Sequence, residues 1–166
     1  MLLLAGCVLQ AQAAVSPAQA ERLGRELTPL GAERAGNPEG TIPAWTGGIT
    51  QPPAGYQPGS HHPDPYAGDQ PLLIIDKHTL NNHRDRLPEG MQRLLTLYPD
   101  YAVRVYPTRR SAALPERLYT ATRQNATQAQ LISGGNGIQG AAAGVPFPLP
   151  QNGLEAIWNH ITRYRG

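Results

Sequence analysis

At 166 residues the chain has the size of one domain, and 35 of its residues are glycine or proline, about 21% where about 12% is usual. Ile, Leu, Val and Phe together number 33, which is sparse for a core that must close by itself. The formal net charge is only +2, and no run of like charge is longer than Arg109-Arg110, which excludes charge-driven disorder and a nucleic-acid-binding stripe.

The first residues, Met-Leu-Leu-Leu-Ala-Gly-Cys-Val-Leu, form an apolar run that leads into Ala11-Gln12-Ala13. That pattern predicts a secretory signal peptide over residues 1–13, with the mature chain beginning at Ala14 in the periplasm. Leu4-Ala5-Gly6-Cys7 also has the form of a lipobox, in which Cys7 would be lipidated and hold the protein at the outer membrane. The run is much shorter than the roughly 20 apolar residues that span a bilayer, so no transmembrane helix is predicted. Cys7 is the only cysteine, and no intrachain disulfide can form.

Ser16-Pro17-Ala18-Gln19 has the signature of a capped helix start, with Ser at the N-cap, Pro at the first helical position and Gln three residues on. Leu23, Leu27 and Leu30 continue at helical spacing, so a helix is predicted up to the stop made by Pro29 and Gly31, with a Glu21–Arg25 pair on its surface. From Gly36 to Pro71 the chain holds eight prolines and seven glycines, which exclude helix and central strand. Trp45, Tyr56 and Tyr66 are spaced along this stretch. A mere linker has no use for them, so the prediction is an ordered, extended strap that packs its aromatics.

Leu72 to Ile75 reads as a short strand. Thr79–Leu87 and Pro88–Tyr98 read as helical, the second with Met91, Leu94, Leu95 and Tyr98 recurring at helical spacing. Tyr101–Tyr106 alternates as a strand, and Pro115–Thr122 is a second strand candidate. Gly134–Pro150 reads as loop, and Leu154–Tyr164 as a final helix with Ile157, Trp158 and Ile161 on one face.

No catalytic constellation emerges from these elements. Gly135-Asn-Gly-Ile-Gln-Gly140 spells a dinucleotide fingerprint, but Pro146 and Pro148 bar the helix that must follow it, so it reads as a structural loop. His61, His62 and Asp64 lack the spacing of a metal site, because adjacent side chains on an extended chain point in opposite directions. The serines have no nucleophile elbow around them. The alternative to a non-enzymatic role is a secreted hydrolase or other enzyme that uses His160 and Glu155 with a site lying largely beyond Gly166.

The ordered spellings carry more. Arg22-Leu-Gly-Arg-Glu-Leu-Thr-Pro-Leu-Gly-Ala-Glu-Arg-Ala-Gly-Asn37, Thr41-Ile-Pro-Ala-Trp-Thr-Gly-Gly48, Pro52-Pro-Ala-Gly-Tyr56 and His62-Pro-Asp-Pro65 follow in order. Tyr98-Pro-Asp-Tyr101, Val105-Tyr-Pro-Thr-Arg-Arg110, Gly134-Gly-Asn-Gly137, Gly144-Val-Pro-Phe-Pro148 and Asn152-Gly-Leu-Glu-Ala-Ile-Trp-Asn-His160 complete the series. From about residue 19 to the end, the chain resembles the proteobacterial domain of unknown function family 1329.

Members of that family are longer, so residues 14–166 resemble an N-terminal portion of a single such domain. The resemblance implies an α+β fold: part of a curved antiparallel half-barrel similar to the lipoprotein carriers LolA and LolB, with short helices and the strap. It implies a non-enzymatic role in lipid or lipoprotein handling at the cell envelope. Acyl chains are the implied ligand in a concave sheet, and an inner-membrane efflux-type lipid transporter the implied partner. No residue carries over from it as catalytic, and no cofactor or metal is expected. Candidate interaction or packing residues are Trp45, Tyr56, Tyr106, Arg109, Arg110 and Trp158. With so little sheet, residues 14–166 alone are expected to lack cooperative folding.

Overall fold

The computed structural model describes residues 15–165; the predicted signal peptide, Cys7 and the predicted mature start at Ala14 lie outside them. The chain divides into two compact units. One gathers the described residues up to Asn37, the strap segment Ala44–Thr50, and everything from Arg110 on; the other is Pro38–Pro43 with Gln51–Arg109.

The first unit starts at helix α1 (Pro17–Ala20), where the capping box forms as its residues require. Ser16 Oγ accepts from the Gln19 N–H at 3.3 Å, and the Ser16 N–H donates to Gln19 Oε1 at 3.0 Å. The helix does not run on to Leu30. Gly24 turns to a φ of +82°, and its N–H donates to Leu27 O, so the three leucines are set by tight turns and isolated bridges. Leu23 is buried against Ala20 and Ala126, with Val15, Leu27 and Leu149 around them. The surface pair that forms is Arg22–Glu26 at 2.9 Å, rather than Glu21–Arg25.

The segment expected to be a strand at Pro115–Thr122 is instead the first part of helix α3 (Glu116–Gln128). Its buried positions are Leu118, Tyr119, Thr122, Asn125 and Ala126, a helical stripe in which two places are polar. Those two are satisfied by the following loop. Thr122 Oγ1 accepts from the Val145 N–H at 3.0 Å. Asn125 accepts from the Ala142 N–H at 2.8 Å and donates to the carbonyls of Ala142 and Val145.

The glycine-rich loop is also more ordered than expected. Strands β3 (Gln130–Ile132) and β4 (Gly137–Gln139) pair antiparallel, joined by a turn at Ser133–Gly135. The dinucleotide spelling therefore sits in a hairpin with no helix after it. The last helix, α4 (Gly153–Ile161), ends three residues short of Tyr164.

In the second unit, β1 (Leu73–Ile75) pairs antiparallel with β2 (Val103–Val105), and α2 (Glu89–Leu97) covers one face of this ribbon. Ile75, Leu80 and Leu95 form its core, with Leu73, Leu87, Met91 and Val103 packed around them. Thr79–Leu87 forms two short 3₁₀ turns rather than one helix. Leu94 and Tyr98 of the helical repeat stay exposed, because only the Met91–Leu95 side meets the ribbon.

The fold is thus mixed helix and sheet, with two small antiparallel sheets and no closed barrel among the described residues. No helix among them is long and apolar enough to cross a membrane.

Candidate functional site

Two of the six singled-out residues meet in the first unit. The strap segment Ala44–Thr50 is pinned along the chain just before α3. The Trp45 indole N–H donates to Ala112 O at 3.0 Å, the Trp45 backbone N–H to Arg34 O at 2.9 Å, and the Ile49 N–H to Ser111 O at 2.8 Å. Gly48 is required for this approach. At a φ of +73° a Cβ there would stand 2.4 Å from Ala112 O. Arg110 ties the same region from the other side, its guanidinium donating to the carbonyls of Glu33, Arg34 and Ala35. Trp45 is one wall of a half-open, mainly apolar slot of about 180 Å³, lined also by Thr28, Pro29, Leu30, Ala32, Arg110, Ala112 and Tyr119.

Tyr106 and Arg109 meet in the second unit. Arg109 makes a bidentate pair with Asp69, Nε to Oδ2 at 3.0 Å, and its guanidinium lies 4.9 Å above the Tyr66 ring. The Asp69 carboxylate raises the guanidinium's already high pKa further. Asp64, Tyr106 and Pro107 border the same depression. Tyr56 lies elsewhere in this unit, stacked on His62 with ring centroids 5.0 Å apart. Every aromatic of the strap therefore has a partner, as an ordered segment requires.

Trp158 belongs to neither cluster. With Glu155 and Asn159 it forms the inner side of α4, and this side holds backbone. Glu155 is 2% exposed; one oxygen accepts from the Gln151 N–H at 2.6 Å and the other from Asn152 Nδ2 at 3.0 Å. Asn159 takes both backbone groups of Phe147, at 2.9 and 2.7 Å, and the Trp158 indole donates to Gly135 O at 2.8 Å. Trp158 thus faces inward and does not share a side with Ile157 and Ile161. Glu155 is committed to capping and loop anchoring. His160, five residues on, is about 140° away around the helix and exposed beside Arg163. The structure does not bring the pair together as acid and base.

Polar satisfaction on the inner side leaves the apolar residues of α4 outside: Leu154, Ile157 and Ile161 are 51, 56 and 53% exposed. The β1–β2 ribbon has the same character. Leu73, Ile75 and Val103 turn to the core, while Leu72, Ile74 and Tyr106 point away and stay exposed. Among the described residues, no three His, Cys, Asp or Glu side chains group as metal ligands. Tyr119 in the slot and Asp69 beside Arg109 are the site residues that sequence reasoning missed. Tyr119 lies in the segment whose pattern predicts a strand, and no local signal marks Asp69 as the partner of an arginine 40 positions away.

The profile of a family described as "Protein of unknown function (DUF1329)" matches residues 74–166. The chain is 46% identical over its whole length to the uncharacterized protein PA3922 of Pseudomonas aeruginosa, of which it spans 37%. No solved structure matches it.

Proposed function

We propose, from the premise that this chain belongs to the DUF1329 family of proteins of unknown function, that it serves a non-enzymatic, periplasmic role in lipid or lipoprotein handling. In this reading it binds an apolar ligand on a LolA-like half-barrel architecture, with an inner-membrane efflux-type lipid transporter as partner. The observation that carries the reading is the inside-out character of α4. Its polar residues face inward and are consumed by the loops, while Leu154, Ile157 and Ile161 stay in water. Exposed apolar residues gathered on one helix side form the kind of patch that binding surfaces use. The exposed side of the β1–β2 ribbon, with Leu72 at 72% exposure, supports the same reading. A hydrolase built on Glu155 and His160 gains nothing from the geometry, since both Glu155 oxygens already accept hydrogen bonds.

The test is retention of radiolabelled dodecanoate by the full chain in gel filtration, run beside a panel of chromogenic esters. Saturable retention without ester turnover is the expected result. Ester turnover abolished by His160→Ala, with no retention, would replace this reading by the enzymatic one.

A further inference from the structure

We infer that the slot beside Trp45 holds the terminal segment of a hydrocarbon chain; the inference rests on the lipid-handling reading and gives it a site. The lining is mainly apolar, and its polar atoms already have partners. Thr28 Oγ1 accepts from the Ala32 N–H at 3.1 Å, and the Tyr119 hydroxyl accepts from the Leu114 N–H at 2.7 Å. The Trp45 indole N–H is held by Ala112 O, and the Arg110 guanidinium by the carbonyls of residues 33–35. Among the described residues no buried side-chain nitrogen or oxygen lacks a hydrogen-bond partner. A polar group entering the slot would shed its water and find little beyond the Thr28 and Tyr119 hydroxyl protons in exchange, whereas a methylene chain has no such loss.

Size narrows the class further. An apolar cavity of about 150 Å³ stays dry and accepts benzene, so about 180 Å³ suits one aromatic ring or roughly six to eight carbons of a chain. That is too narrow for the apolar face of a partner helix. The Trp45 wall is also fixed. Trp45 is bonded through both its backbone and its indole, and the close approach at Gly48 sets the strap against residues 111–112. These contacts hold the Trp45 side of the slot in place.

The experiment uses the full chain carrying Trp158→Phe, which leaves Trp45 as the reporter, since the chain has two tryptophans. It is titrated with dodecanoate carrying bromine either at the far (ω) carbon or next to the carboxylate (α). Bromine quenches an indole on contact. Retention of labelled dodecanoate is measured in parallel. The expected result is retention, loss of most Trp45 emission with the ω-bromo acid, and little loss with the α-bromo acid. Filling the slot with Ala32→Phe should weaken binding about tenfold or more without moving the thermal transition.

Retention with equal quenching by the two acids, or with none, overturns the slot as the chain-end site and leaves the lipid reading standing. Absence of retention overturns both. Should Ala32→Phe fail to fold, the contrast between the two bromine positions still decides.

Discussion

Replacing Asn125 by alanine tests how this fold compensates for its thin apolar core. The side chain is buried in the middle of α3 and makes three hydrogen bonds to the 142–145 loop: Nδ2 to Ala142 O at 3.1 Å, Nδ2 to Val145 O at 3.2 Å, and Oδ1 from the Ala142 N–H at 2.8 Å. At about 1 kcal/mol net for each hydrogen bond, the loss is about 3 kcal/mol, and the stranded amide adds to it because an unmade buried bond costs more than a made one returns. Where the parent chain shows a cooperative transition, Asn125→Ala is expected to lower its unfolding stability by about 3–4 kcal/mol in urea titrations followed by tryptophan emission, since Trp45 and Trp158 belong to the same unit as α3.

Asn125→Asp sharpens the test. A carboxylate can still accept from Ala142 N but turns a second oxygen toward two carbonyls, so folding favours its protonated form and raises its pKa above the unfolded value of about 3.9. A raised acid pKa means the native state binds more protons, so stability relative to the parent is best below that value and falls as pH rises toward neutrality. A loss under about 1 kcal/mol for the alanine variant, or a pH-independent aspartate variant, would show that the loop is not held by this residue.

Two further outcomes follow from the geometry and one from the sequence. Gly31→Ala should destabilise the first unit by more than about 2 kcal/mol in the same titration, since φ is +92° and the new Cβ would fall 1.8 Å from the carbonyl oxygen of buried Pro148. The Asp76 carboxylate is held below its usual pKa, chiefly by the Thr79 backbone N–H and further by the Thr79 side chain and His78. Its folded pKa being lowered, its contribution is present above the unfolded value of 3.8 and is lost as pH falls through the folded one. NMR titration should show its midpoint below 3.8, with the Thr79 amide losing exchange protection over the same range. Mass spectrometry of the exported chain should give Ala14 as the first residue; a diacylated Cys7 would overturn that cleavage site.

The sequence revealed those elements whose signals are local. The Ser16–Gln19 box, the β1 and β2 strands, α2 and α4 each carry their period or cap within a few residues. Helix α3 was hidden because Thr122 and Asn125 occupy two positions of its buried stripe, which breaks the apolar repeat. Those residues are buried only because a loop some 20 positions on supplies their partners. The α1 helix was overextended for a related reason. Leu23 and Leu27 have helical spacing but reach the core through turns that Gly24 permits. The site was legible as residue types and not as pairs. Trp45 and Arg110 stood out by chemistry, yet their meeting depends on strap contacts spanning 67 and more positions, and nothing local encodes them.

The central claim, that this protein carries an apolar ligand, is tested most directly by mass spectrometry of the solvent extract of the chain purified without detergent. The account predicts an acyl-bearing lipid at close to one per chain, depleted in the variant whose slot is filled by Ala32→Phe. An extract free of lipid, from protein that also fails to retain added dodecanoate, would contradict it.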